Sequence, residues 1–490
     1  MCGKICLAVD LGAGSGRVLA GIYHGDTLAL RELNRFPSEA VREADGWHWN
    51  FTRLLARVKD GIRLALGEFG ARVVSLGVDT WGVDYGLLDA DGQLLGQPFQ
   101  YRDARADGMM ERAFARMPKA EIYRRTGIQF MFFNTLFQLL AEKKLADADS
   151  LLFMPCLINY LLTGQKVNER SIASTGQLLD ADRQQWDWEL LAAMGLPARI
   201  FGELADAGAN LGPLTAAARR EVGATDLHVI APGCHDTASA VAGVPADGDG
   251  MVFLSSGTWS LIGRELRAPV RTPESFAAGF SNETGVCGTT RFLKNIAGLW
   301  LLQECKRKWD ADGQRLDYGG IISQAAAAPA LVSLVDPDAA DFQTPPDMPA
   351  AIAAYCRRTN QPAPLTVGAT ARCIFESLAL KYRVVLGQLA ALTGRPVGPL
   401  HIVGGGAQNA LLNQFAANAT GRVVLAGPVE ATSIGNILLQ LIALGELPSL
   451  SAGRALARRS FATTEYQPQH PAAWDEAAER FGELAGHEKF

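Results

Sequence analysis

No run of five or more lysines and arginines occurs in the 490 residues, and 46 basic side chains against 51 acidic ones leave a formal net charge of -5. Nucleic acid and anionic membrane both call for clustered positive charge, so neither is expected as a partner. The eight cysteines stand singly, without a C-x-x-C pair. That spacing argues against a zinc cage or a disulfide framework and for reduced, mostly buried thiols, with a meeting of Cys356 and Cys373 left open. Long apolar runs are missing too. The longest, near Leu151–Leu162, contains Pro155 and falls well short of the ~20 residues that span a bilayer. Met1 is followed by one lysine and then the strand-like Ile5–Asp10, which leaves no room for a cleavable leader; a cytoplasmic protein is expected. No G-x-x-x-x-G-K-[ST] is present, and no G-x-G-x-x-G opens a helix after a strand, which excludes a P-loop nucleotidase and weakens a nicotinamide-dependent oxidoreductase.

What is present suits a folded chain with a large interior. A 48% hydrophobic and 20% charged composition over this length allows two or three domain-sized cores, two being the starting expectation. Ile5–Asp10 and Arg17–Tyr23 read as strands joined by the glycine-rich turn Leu11–Gly16, with Thr27–Phe36 continuing the meander. Asn50 precedes an amphipathic helix with Phe51, Leu54, Leu55, Val58, Ile62 and Leu66 on one face, ended by Gly70. Val73–Val78 reads as a buried strand running into the polar turn Asp79–Asp84. The Gly, Pro and Asp-rich Gly243–Gly250 is the candidate hinge. After it, Met251–Leu254 leads into Ser255–Ser260, a second pairing of strand, small-residue turn and strand, which hints at a duplicated architecture. Thr366–Gly394 reads as one long helix or two, Leu400–Val403 as a strand, and Asn409–Ala419 as a helix opened by Gly404, Gly405 and Gly406. The Pro- and Ala-rich Ala325–Pro349 reads as a long surface excursion.

Four segments carry candidate chemistry. In the first turn, the successive amides around Ala13, Gly14, Ser15 and Gly16 suit an anion, and Arg17 adds charge-assisted donors. Asp10 beside them would repel phosphates unless a divalent cation lay between, so it reads as positioning hydrated Mg²⁺, with an ordinary hairpin as the alternative. Ser255–Thr258 supplies a second hydroxyl-rich turn, which a tight turn between buried strands would equally explain. Gly404–Gly406 lets backbone approach a flat ligand such as adenosine, or serves close strand-helix packing. In Gly233–Ala240 an acid sits among small residues. A sugar hydroxyl is too weak an acid to ionise alone, so Asp236 reads as the carboxylate that orients it and takes its proton; a helix N-cap is the competing role.

Together these segments resemble the FGGY carbohydrate kinases of the actin, hexokinase and Hsp70-like ATPase superfamily, and the resemblance spans nearly the whole chain. The words Asp79–Asp84, Tyr101–Asp103, Gly127–Phe130, Phe133–Thr135, Leu293–Ile296 and Gly298–Gln303 narrow it to members acting on L-rhamnulose. The resemblance implies an α/β fold of two RNase H-like domains, each a mixed β-sheet flanked by helices, residues 1–243 and 244–490, closing on an interdomain cleft. It implies ATP with Mg²⁺, and transfer of the γ-phosphoryl group to the 1-hydroxyl of L-rhamnulose. By motif, Asp236 is the proton acceptor; Gly82, His235, Asp236 and Thr237 contact the sugar. Ala13, Gly14, Ser15, Gly16, Arg17, Thr258, Asn295, Gln303 and Gly405 line the ATP site, and Asp10 serves the metal. Trp47, Trp49 and Trp81 are candidates for plating a sugar face, Asp84, Asp103 and Asn134 for binding hydroxyls, and Phe130, Met131 and Phe132 for holding a 6-methyl group. L-fuculose, xylulose and glycerol stay open as acceptors, an actin- or Hsp70-like machine as another class, and a monomer or small homo-oligomer as the assembly. Ala325–Pro349 and Asp475–Phe490 match nothing specific.

Overall fold

The computed structural model describes residues 3–223, 226–246, 250–484 and 486. Three residues of the expected hinge, 247–249, lie outside them. Contacts divide the chain into two units that are discontinuous in sequence, one built from residues 1–249, 265–292 and 430–461, the other from 250–264, 293–429 and 462–490.

The first unit is organised on a six-stranded mixed sheet. Strands β1 (Lys4–Leu11), β2 (Ser15–Tyr23) and β3 (Leu28–Pro37) form the expected antiparallel meander. Beyond β1 come β4 (Val73–Thr80), parallel to it, then β6 (His228–Ile230), parallel to β4, with β5 (Asn210–Pro213) antiparallel at the edge. Parallel central strands buried on both faces read as continuous apolar runs, and β1 is buried from Ile5 to Leu11. Helix α1 (Phe51–Phe69) starts where Asn50 Oδ1 accepts the Arg53 amide at 3.2 Å. It lays Phe51, Leu54, Val58, Ile62 and Ala65 on the core, each buried leucine or isoleucine worth roughly 1.5–3 kcal/mol. Leu55 and Leu66 sit at its flank, only partly buried.

Two further helices close on this sheet, α3 (Asp236–Ala242) and α4 (Ala431–Ala443), with the short α2 (Arg170–Thr175) between α1 and α3 in sequence. Helix α4 comes from the far end of the sequence, yet it ties β1 to β4. Gln440 Nε2 donates to Leu7 O at 2.9 Å and Asn436 Nδ2 to Gly77 O at 3.1 Å, while Ser75 Oγ donates to Gln440 Oε1 at 2.7 Å. Helices α3 and α4 cross backbone against backbone: a Cβ on Gly435 would stand 1.8 Å from Ser239 O, and one on Gly243 2.2 Å from Ala431 O.

The turn after β4 is held from below. Asp84, 0% exposed, accepts the indole N–H groups of Trp49 at 2.6 Å and Trp81 at 2.9 Å, and Gln138 Nε2 at 3.0 Å. Gln138 Oε1 in turn accepts Arg105 Nη2 at 3.1 Å, and Arg105 pairs with Glu142 at 2.8 Å. Burial outweighs the hydrogen bonds from Trp49, Gln138 and Trp81 and pushes the Asp84 carboxyl up to about 6.

The second unit repeats the plan. Strands β7 (Val252–Ser256) and β8 (Trp259–Leu266) form an antiparallel hairpin, and β9 (Thr290–Ala297) follows β8 in the sheet order. On the other side of β7 lie β10 (Leu400–Val403), parallel to it, β11 (Val424–Ala426), parallel to β10, and β12 (Thr464–Tyr466), antiparallel at the edge. This order mirrors β3, β2, β1, β4, β6, β5, so the duplication hinted at by two hairpins is real at the level of topology. The expected long helix is a single one, Val367–Thr393. The expected surface excursion is a correction. Leu334, Val335, Phe342 and Met348 are buried, Val335 N donates to Ser377 Oγ at 2.9 Å, and Lys381 lies 2.9 Å from both Asp336 and Asp338. Scattered apolar anchors with no period hide such a segment from pattern reading. Cys6, Cys156, Cys234, Cys305, Cys356 and Cys373 are buried free thiols and Cys287 is exposed; Cys356 and Cys373 hydrogen-bond to each other. Among the described residues no helix is long and apolar enough to cross a membrane.

Two measurements follow from this construction. Gly435→Ala forces a methyl into a backbone oxygen and is expected to cost at least about 2 kcal/mol in chemical denaturation. Gly387→Ala, on an exposed helix face with nothing within 4 Å, is expected to stabilise by roughly 0.5–1 kcal/mol; equal effects would refute the crossing as a constraint. Because the folded Asp84 carboxyl is raised above its ordinary 3.8, its protonated form favours the fold. The stability it contributes is complete below that ordinary value and is lost as pH rises through about 6. The stability of wild type relative to Asp84→Asn is therefore expected to be greater at pH 5 than at pH 7.5, by on the order of 1–2 kcal/mol. A flat or reversed difference would contradict it.

Candidate active site

In the first unit, strand register alone brings acids together. Asp10 at the end of β1 is opposite Arg17 on β2 and opposite Asp79 on β4. Side chains at paired positions share a face, and α4 meets both: Ser433 Oγ donates to Asp10 Oδ2 at 3.3 Å and Asn436 Nδ2 to Asp79 Oδ2 at 2.6 Å. The strand end then reaches the third acid. Thr80 N donates to Cys234 O at 2.9 Å and Thr80 bridges His235 in parallel fashion, so Asp236 starts α3 beside the same strand ends. Burial, and then the Asp10 charge, push the Asp79 carboxyl well above the ordinary range. Burial also raises Asp236, with Asp10 adding to the rise and His235 opposing it. The 30% exposed Asp236 side chain still opens to solvent on one side.

Among the described residues, side-chain hydrogen bonds take one oxygen of each acid. Arg17 Nε and Nη2 bind Asp10 Oδ2 at 3.0 and 2.7 Å, and Thr237 Oγ1 donates to Asp236 Oδ1 at 3.1 Å. Asp79 Oδ1 is buried without a partner. Arg17 also binds Glu430 at 2.7 Å, so its guanidinium is engaged by two carboxylates. The cap position of α3 is His235 and makes no side-chain cap, so the N-cap role weighed for Asp236 is not the one observed.

The first turn is braced on one side and open on the other. Ser38 takes the carbonyls, its Oγ donating to Gly12 O at 2.7 Å and its amide to Gly14 O at 3.3 Å. Among the described residues the Ala13 and Gly14 amides have no protein acceptor, and a Cβ on Gly14 would meet nothing within 4 Å. Gly82 lies next to this turn, since Trp81 N donates to Leu11 O at 3.0 Å. A Cβ on Gly82 would press on Thr175 at 3.1 Å. Val83 has φ 69°, a left-handed conformation rare for a β-branched residue. Thr135 Oγ1 donating to Val83 O at 2.6 Å and Val83 N donating to Thr175 Oγ1 at 3.0 Å hold it there.

The predicted hydroxyl-binding residues are a correction. Asp84 is enclosed as described; Asp103 accepts the Trp47 and Arg105 amides at 2.7 and 2.9 Å; Asn134 Nδ2 donates to Gln129 O at 2.9 Å and Gln177 Oε1 at 3.1 Å. They build the turn's foundations. Trp49 and Trp81 are core, ring centroids 4.2 Å apart, while Trp47 is 42% exposed. Phe130 packs on Phe114, centroids 5.3 Å apart, and Phe132 is 39% exposed.

In the second unit, Thr258 Oγ1 donates to Gln303 Oε1 at 3.2 Å, joining two predicted nucleotide residues from a turn and a helix, Trp300–Ala311. Leu299 N donates to Gly257 O at 2.9 Å. Gly404 and Gly406 pack on the end of β7, where a Cβ on Gly406 would stand 2.0 Å from Ser256 Oγ. Gly405 between them faces open space, where a Cβ would meet nothing within 4 Å. Asn295 lies on β9.

Sequence reading passed over Asp79, Glu430, Ser433 and Asn436 as site residues. It also missed Glu283 and Arg291, whose Nη1 and Oε2 lie 2.9 Å apart beside His235. Asp79 had a signal, since it opens the Asp79–Asp84 word. The others carry none, being joined to the site only through folding.

Comparison with known proteins bears on the family of the whole chain. The model of the FGGY family of carbohydrate kinases, N-terminal domain, matches residues 5–243, and that of the C-terminal domain matches residues 252–444. A rhamnulokinase from Bacteroides thetaiotaomicron is 46% identical over 475 residues, 96% of this chain and 97% of that protein. One from Pectobacterium carotovorum is 44% identical over 95% and 93% of the two chains. Among solved structures, a xylulose kinase from Lactobacillus acidophilus aligns with TM-score 0.81 at 17% identity, covering 99% of this chain and 98% of that one. Plasmodium falciparum glycerol kinase with ADP aligns at 0.77 and 14%, with the same coverage. With both domain models matched and relatives similar from end to end, the chain belongs to the FGGY family of carbohydrate kinases, enzymes that move a phosphoryl group from ATP to a sugar.

Proposed function

We propose that the acceptor is L-rhamnulose and that phosphorylation falls on its 1-hydroxyl, giving L-rhamnulose 1-phosphate and ADP in L-rhamnose breakdown. The observation that carries this reading is the 46% and 44% identity, over nearly whole chains, to two proteins named rhamnulokinase. The site chemistry is consistent with it. Asp236 is the base: its carboxylate takes the hydroxyl proton while Thr237 Oγ1 donates to Oδ1 and orients the group. His235, Thr237 and the backbone at Gly82 bind the sugar, the strained turn at Val83 keeping that backbone in one conformation before the sugar arrives.

The Ala13–Gly16 amides bind phosphate oxygens in the first unit, and Arg17 fixes the Asp10 carboxylate with two donors. Thr258, Asn295, Gln303 and Gly405 are the nucleotide residues of the second unit. Mg²⁺, when bound, offsets charge on the phosphates. Asp10 with its free Oδ1 fits a hydrated ion. The site acids form no direct cage, since the only group of three ligand atoms within 4.8 Å of one another among the described residues is Glu43, Asp45 and His48. ATP dependence and reduced thiols suit the cytoplasm.

Coupled ADP release across L-rhamnulose, L-fuculose, L-ribulose, D-xylulose and glycerol tests the reading. L-Rhamnulose is expected to give the highest kcat/KM by at least about tenfold, equivalent to ~1.4 kcal/mol and within reach of one unmet buried hydroxyl. Asp236→Asn is expected to lower kcat by ~10²–10⁴ with nucleotide affinity nearly unchanged. Preference for another acceptor removes the substrate assignment, and near-normal turnover in the variant removes the base.

A further inference from the structure

His235 occupies a junction that a single protonation state does not satisfy. The residue is 7% exposed, and its Nδ1 lies 3.0 Å from Arg291 Nη1 and 3.1 Å from Glu283 Oε2. Arg291, 0% exposed, directs that N–H at Nδ1, a bond that needs the nitrogen's lone pair. Glu283 Oε2 is buried 2.9 Å from Arg291 Nη1 yet takes no aligned hydrogen bond among the described residues, and an Nδ1–H would supply one. On the other side of the ring, Nε2 lies 3.4 Å from Asp236 Oδ1. Two acceptors facing each other would stay that far apart, and a shared proton would draw them together.

Three further elements hold the junction in place. His235 N donates to Ser171 Oγ at 3.2 Å, whose proton goes to Glu169 Oε2 at 2.5 Å. Arg291 Nε and Nη2 donate to Thr284 O at 3.2 and 3.1 Å. The charged groups acting on this junction are thus Asp236, Glu283, Arg291 and Glu169, with Asp10 acting on Asp236 and Glu265 on Arg291. Burial would raise the Glu283 carboxyl, but Arg291 and His235 hold it below its ordinary value, so it stands as an anion.

We propose that Glu283 takes the hydrogen bond of an Nδ1–H on His235, with Arg291 Nη1 pairing instead with the Glu283 carboxylate 2.9 Å away, so that Nε2 receives the proton Asp236 has taken from the sugar. The step balances. The O–H bond of the Asp236 carboxylic acid breaks, leaving its electron pair on the carboxylate, and the Nε2 lone pair forms the new N–H. The imidazolium then donates to two carboxylates, Nδ1–H to Glu283 and Nε2–H to Asp236, and releases its proton to solvent as product leaves. Asp236 is returned to its ionised form without carrying the proton out itself. Glu283 and Arg291 are positioning residues, since neither touches the reacting atoms.

The inference rests on Asp236 as base, and its test separates the two. The pH dependence of kcat/KM for L-rhamnulose is measured at saturating MgATP for wild type, Glu283→Gln and Arg291→Lys, with thermal melts alongside. Removing the neighbouring anion makes protonation of the ring harder, so the acidic limb in Glu283→Gln is expected to move down by about one pH unit. Arg291→Lys, which keeps the charge, is expected to leave the limb in place, and the KM for MgATP is expected to stay within about twofold. A uniform loss across pH with an unmoved limb overturns the relay and leaves the base untouched; turnover retained by Asp236→Asn overturns the base. A histidine ¹⁵N spectrum of the wild type, assigned with His235→Asn, gives the answer even if both relay variants fail to fold. A proton on Nδ1 is expected, and one confined to Nε2 overturns the proposal.

Discussion

Negative charge gathered in a low-dielectric place is the constraint around which the first unit is arranged. Asp10, Asp79 and Asp236 stand at the ends of β1 and β4 and the start of α3, where Asp10 disfavours ionisation of both Asp79 and Asp236. Three devices make this tolerable. Arg17 spans Asp10 and Glu430, Asn436 donates to Asp79, and Thr237 Oγ1 donates to Asp236. None of the three saturates its acid. A carboxylate that keeps a free oxygen beside other acids is poorly stabilised by protein alone and gains most from a cation or an acidic hydroxyl. The site's incompleteness and its chemistry therefore have one origin.

That arrangement depends on packing that uses no charge at all. Helix α3 carries Asp236 and helix α4 carries Ser433 and Asn436, and the two meet where Gly435 lies against Ser239 O and Gly243 against Ala431 O. Side chains at these points would separate the helices by the width of a methyl group or more, and the hydrogen bonds to Asp10 and Asp79 would open with them. Below the turn after β4 the same logic recurs with polar atoms: the Asp84 carboxylate collects two indoles and an amide so that the backbone from Gly82 to Val83 is held in one conformation.

Much of this was legible in the sequence where neighbours in space are neighbours in the chain. The β1–β2 hairpin, the α1 stripe from Phe51 to Ile62 and the β4 turn are local patterns, and their type follows from period and punctuation. Asp10 and Asp236 stood out because an acid beside a phosphate turn calls for a cation and an acid among small residues suits a proton acceptor. What stayed hidden was set by long-range contact. Nothing in Ala431–Ala443 announces that Asn436 reaches Asp79, and Glu283 and Arg291 belong to no word that names His235. Asp84, Asp103 and Asn134 show the opposite failure. Their segments were recognisable, but the polarity that suggested a sugar is consumed in supporting the loop, because buried polar groups find protein partners first.

The discontinuity of the first unit has a consequence for how the molecule comes into being. Helix α4 covers β1 and β4 from residue 431 onward, while those strands belong to the first 80 residues. During synthesis the sheet must wait, with the Leu7 and Gly77 carbonyls and the Asp79 side chain unmatched, until the ribosome has made most of the chain. A nascent segment in that condition exposes strand faces to its surroundings for the whole interval, and chaperone holdases would find their binding sites there.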